Sequence, residues 1–111
     1  MKSMALEGLS PHLLEMLEKL GKNIRLARRR RRMPLQELAD RSHASRNTIV
    51  ALEKGAPGVG IGILLRVLYI LKMHEDIAKL ADPSRDEIGM AEEARRVPLR
   101  VHRRRSLEDE L

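Results

Sequence analysis

The chain has 111 residues, room for one domain with appendages, and its 42% apolar share is almost wholly Leu, Ile, Val, Ala and Met, because Tyr69 is its single aromatic residue. It has no cysteine, which excludes disulfides and thiolate metal sites, and His12, His43, His74 and His102 are too scattered for a zinc site, so no metal or cofactor is expected. A formal charge of +6 favours a polyanionic partner, nucleic acid ahead of an anionic membrane.

Residues 1–9 have no long apolar core and read as a flexible lead-in, not a secretory signal. Ser10-Pro11 then opens a helix, with Ser as N-cap and Pro in the first helical position. Leu13, Met16 or Leu17, Leu20, Ile24 and Ala27 recur on one face. The helix ends in an unbroken arginine run, Arg28 to Arg32, where cations suit the dipole. That run is a solvated helix end, a phosphate-contacting patch through Arg30 and Arg31, or both.

A short helix follows Pro34 and spans 35–42, with Leu38 and Ala39 facing inward. A tight turn at His43 leads to a third helix over 45–54, capped by Ser45 and closed by Gly55. The segment GAPGVGIG lacks the order and flanking residues of a nucleotide-binding loop and reads as a connection between helices. The fourth helix, about 61–71, carries two apolar stripes: Ile61, Leu64, Leu65, Leu68 and Leu71, and Ile63, Val67 and Ile70. A helix apolar nearly all round needs cover on both sides. Ile63, Val67 and Ile70 are taken as the stripe left for a dimer or partner contact. The apolar run from Val59 to Leu71 is interrupted by Arg66 and falls short of the ~20 residues of a bilayer span. A soluble, cytoplasmic protein with no membrane partner is expected.

A fifth helix, about 74–80, ends before Asp82-Pro83. Residues 83–111 form an appendage for dimer or partner contacts, not a second domain. Ser84-Arg85-Asp86-Glu87 has the form of a capping box and opens a small helix through Arg96. Val97, Leu99 and Val101 alternate as in a short edge strand, which Pro98 bars from the centre of a sheet. The expected architecture is all-α: a five-helix domain over residues 10–82 with a basic tail.

The functional signal lies in 35–55. Leu38, Ala39, Ser42, Ala44, Ile49 and Leu52 are apolar or small, as two helices crossing over a tight turn require. Arg46, Asn47, Val50, Ala51 and Lys54 point outward. A helical tip entering a major groove needs such groups: Arg binds guanine, Asn binds adenine, and small apolar residues touch thymine methyls. Ser45 and Thr48 complete the expected DNA-facing set. No nucleophile–base pair, metal cluster or phosphate cradle is apparent, so an enzyme is not expected.

The run QELADRSHASRNTIVALEKG resembles the helix-turn-helix of the Cro/C1 (XRE-like) repressors, matching at Leu38, Ala39, Ser45, Ile49, Glu53 and Gly55. The wider resemblance covers about 19–81 and implies a lambda-repressor-like domain in which 45–54 enters the groove. It implies an Arg28–Glu53 salt bridge that holds the reading helix. His43 stands where the family has a left-handed Gly, and Leu35 where many members have a phosphate-binding Gln, so that contact is not carried over. The pattern EKGAPGVGIG, LLRVL, Asp-Pro and a basic tail with VPLRV looks like the HipB-type antitoxins paired with HipA-type kinase toxins. This implies a homodimer on a palindromic operator in double-stranded DNA, autoregulation of its operon and a kinase-like toxin partner. A stand-alone or phage-type repressor is the alternative.

Overall fold

Helix α1 (Pro11–Arg30) begins where Ser10 and Pro11 put it, in a computed structural model that describes residues 8–96. The Ser10 hydroxyl accepts from the Leu13 N–H at 3.3 Å. Helices α2 (Leu35–Arg41), α3 (Arg46–Glu53) and α4 (Ile61–Ile70) follow, then 3₁₀ segments His74–Lys79 and Pro83–Arg85, and helix α5 (Glu87–Arg96). The described residues are all-α, and none is in a strand. No described helix is long and apolar enough to cross a membrane. The expected lead-in at residues 1–7 and the strand carrying Val97, Leu99 and Val101 lie outside the described residues.

The chain divides into two compact units, one through Ala78 and one from Lys79. In the first, Ile24, Ala27, Met33, Leu38, Ala39, Ile49, Leu52, Val67 and Leu71 form the buried core. Helix α3 packs against both α1 and α2, and α2 also meets α4. The expected α1 stripe holds for Ile24 and Ala27. Leu17, not Met16, takes the ambiguous position: Leu17 is half-buried and Met16 exposed. Ser42 is a fully buried polar residue, satisfied by donating its hydroxyl to the Leu38 carbonyl at 2.6 Å.

Neither expected stripe of α4 lies wholly on one side: Leu71 of the first is buried, with Leu64 and Leu68 packed against the core, and the second, expected to be left for a partner, faces inward as well. Val67 has no exposed surface and belongs to the core, with Ile63 and Ile70 packed against it. The outward residues are Ile61 (75% exposed), Leu65 and Tyr69 (58% exposed), spaced four apart on one face. Both stripes are apolar, so periodicity cannot say which of their residues turn inward. The meeting of α4 with α2 does.

All four helices of this unit end in one manner. The N–H groups of Met33, Ala44, Ala56 and Met73 donate to the carbonyls of Arg28, Ala39, Ala51 and Leu68, each five residues back. This Schellman closure puts the preceding residue in the left-handed region. That residue is Gly55 after α3, but Arg32, His43 and Lys72 after the others, at φ +52°, +55° and +64°. Non-glycine residues there cost about 1 kcal/mol each. Burial of Met33 offsets the cost at Arg32.

The fifth helix expected over 74–80 is instead a 3₁₀ segment, His74–Lys79. In the second unit the capping differs from the capping-box expectation. Asp82 caps the short turn Pro83–Arg85 by accepting from the Ser84 N–H at 3.0 Å. Asp86, not Ser84, caps α5, accepting from the Gly89 N–H at 2.9 Å.

Candidate nucleic-acid interface

Helix α3 is short, so its placement rests on what grips it. Ser45 caps it in extended conformation, its hydroxyl accepting from the Thr48 N–H at 3.1 Å and lying 2.8 Å from the Thr48 hydroxyl. Ser45 and Thr48 thus spend part of their hydrogen-bonding capacity on each other. Behind the helix, Ile49 and Leu52 enter the core. The α1 backbone passes unusually close at Gly21, where a Cβ would lie 2.5 Å from the Glu53 carbonyl oxygen and 2.7 Å from that of Leu52.

Glu53 completes the grip. Arg28 Nε donates to its Oε2 at 2.7 Å and a terminal nitrogen to its Oε1 at 3.0 Å. A third donor of the same guanidinium reaches the Met33 carbonyl at 2.9 Å. The two side chains are only 11% and 6% exposed. This bidentate geometry ties the end of α3 to the end of α1 and to the turn before α2. The hydrogen bond that Arg28 donates to Glu53, helped by the carboxylate's charge, holds Arg28 above the ordinary arginine pKa against the opposing effect of burial. Arg28 therefore belongs to the scaffold, as does Glu53.

The outward face of α3 carries Arg46, Asn47 and Lys54, all exposed, with Val50 and Ala51 half-buried between them. Among the described residues, no side chain hydrogen-bonds to or pairs with Arg46, Asn47 or Lys54. The first helical turn therefore ends in one guanidinium and one carboxamide free to meet base edges or phosphates. The opposite flank of α3 is uncharged: Asn47, Thr48 and Ala51 face the loop 56–60 across an open groove.

The arginine run divides by role. Arg30 is exposed and free to meet a phosphate. Arg31, expected beside it, donates instead to the Ala27 carbonyl at 2.8 Å and to the Leu71 carbonyl at 2.8 Å. It caps the last turn of α4 and joins it to α1, because a guanidinium satisfies carbonyls that a helix end leaves open. Sequence reasoning missed Gly21, which in a single sequence resembles any other mid-helix glycine. It also missed Arg25, one turn before Arg28 on α1, which shares a cleft with Arg46 and Lys54.

The described residues hold no group of three or more His, Cys, Asp or Glu side chains able to bind a metal. No family model, no curated protein and no solved structure matches this chain.

Proposed function

We propose that the chain is a sequence-specific DNA-binding repressor of the Cro/C1 type, acting as the antitoxin of a toxin–antitoxin pair with a kinase-like toxin. One observation carries the DNA-binding part. Helix α3 presents Arg46, Asn47 and Lys54 without side-chain partners, while its back face is fixed to α1 by Gly21 and the Arg28–Glu53 pair. A rigid helix with a free polar tip and small residues behind it suits major-groove readout. The net charge of +6 adds affinity for any duplex. The antitoxin part rests on the resemblance of 53–101 to HipB-type chains.

The deciding experiment joins co-purification with the product of the neighbouring gene to a binding assay on the DNA upstream of the chain's own coding sequence. Salt-dependent binding to a near-palindrome with half-sites about 10 bp apart, or a multiple, supports the repressor. Recovery of a kinase-like partner supports the antitoxin, and its absence leaves the stand-alone repressor. No binding to the upstream DNA removes both.

Two substitutions separate base reading from anchoring. Asn47→Ala should relax preference at one base position, at a cost of about 1–3 kcal/mol on the preferred sequence. Arg30→Ala should weaken all sequences alike and lower the salt slope by about 1. Competition among single-base operator variants measures both. Uniform losses from both substitutions would contradict the assignment of Asn47 to bases.

The exposed stripe of Ile61, Leu65 and Tyr69 is the surface assigned to self-association, replacing the buried Val67 face. Placing a charge at its centre with Leu65→Glu should give a monomer in sedimentation equilibrium with an unchanged far-UV spectrum. An intact dimer in that variant would move the interface elsewhere.

A further inference from the structure

Alongside α3, on its α1 flank, lies an open cleft of about 320 Å³. Arg28 and Glu53 line it as a closed pair, so the one acid present is already neutralised. Leu35 and Val50 supply apolar wall. The remaining lining groups are Arg25, Arg46 and Lys54, and none has a side-chain partner among the described residues.

This arrangement is unfavourable for the isolated protein. Like charges border one cleft, and Arg46 stands at the first position of α3, against the positive end of the helix dipole. Such a cleft favours an anion that fits between α1 and α3. Arg46 and Lys54 are separated by about 12 Å of helix, at a rise of 1.5 Å per residue, so the cationic wall runs along the axis of α3. A phosphodiester strand running beside a groove-bound helix matches that shape. Guanidinium forks suit phosphate oxygens, and the apolar wall suits a deoxyribose. The uncharged flank facing loop 56–60 offers no such seat.

We propose that this cleft seats a backbone phosphate of the duplex read by α3, and that Arg25 of α1 is a DNA-contacting residue that adds affinity without sequence preference. The proposal rests on the DNA-binding reading above and extends it to a part of the chain outside the helix-turn-helix.

The test is fluorescence anisotropy with a labelled mixed-sequence duplex of about 30 bp, at several salt concentrations, for the full chain and for Arg25→Gln and Arg25→Lys. Arg25→Gln should bind about fivefold to tenfold more weakly at low salt, with a salt slope shallower by about 0.9. Arg25→Lys should recover most of the slope, and neither substitution should lower the melting temperature. If the unmodified chain binds and Arg25→Gln matches it in affinity and slope, the seat is wrong while the DNA-binding reading stands. If the unmodified chain binds no duplex, both fall. If Arg25→Gln loses affinity for a single-stranded RNA of the same length but not for the duplex, the cleft serves RNA and the proposal is overturned.

Discussion

Glu53→Ala is expected to lower stability by about 3 kcal/mol, seen as a large drop in melting temperature. The loss does not come from the attraction alone. The substitution strands Arg28, whose guanidinium is 11% exposed and keeps a single acceptor, the Met33 carbonyl. A charge left without its counter-ion at low exposure costs more than the pair contributed. Glu53→Gln should be milder, because an amide oxygen still accepts one hydrogen bond. Removing both charges with Arg28→Met and Glu53→Leu should recover much of the loss, since the site is then apolar. The pH dependence has a definite sign. Arg28 has a folded pKa raised above the ordinary value, so its contribution is fully present below that value and is lost only as pH rises through the folded one. Arg28 therefore adds no slope to stability near neutrality. Thermal melts of the three variants beside the unmodified chain check the series, and an unchanged melting temperature in Glu53→Ala would refute the structural role.

Gly21→Ala should cost a comparable amount, about 3 kcal/mol, at the upper end of what overpacking produces. A Cβ at this position meets backbone rather than a side-chain tip: the carbonyl oxygens of Glu53 and Leu52 at 2.5 and 2.7 Å. No rotamer change relieves that clash. Helices α1 and α3 must separate, and the bidentate Arg28–Glu53 geometry loosens with them. The substitution should therefore weaken DNA binding beyond the fraction unfolded, because Arg46 and Asn47 are carried on the displaced helix. A control is Gly62→Ala on α4, where a Cβ meets nothing within 4 Å. It should be neutral or slightly stabilising, since alanine is the better helix former. Equal melting temperatures for Gly21→Ala and Gly62→Ala would show that α1 and α3 tolerate separation.

Much of the candidate interface was legible in the residues themselves. The Ser45 cap, the inward Ile49 and Leu52, and the outward Arg46, Asn47 and Lys54 follow from a capping signal and a 3.6-residue period, both local rules. The pairing of Arg28 with Glu53 came from the resemblance to the Cro/C1 helix-turn-helix, since no local pattern connects residues 25 positions apart. Arg25 went unnoticed because its position matters only once α1 lies beside α3.

What the sequence by itself determined is where α1 to α4 begin and which side of α3 is polar, because caps and amphipathic spacing act within a few residues. The tertiary structure decided the rest. It drew core residues from both apolar stripes of α4, burying Val67 and Leu71 and exposing Ile61 and Leu65, because apolar positions differ only in what they meet. It turned Arg31 from a surface cation into a tie to Leu71, because the open carbonyls of α4 lie beside the end of α1 only in the fold. It closed three helices at Arg32, His43 and Lys72 without glycine, because contacts such as the burial of Met33 offset a backbone cost that local rules assign to glycine alone.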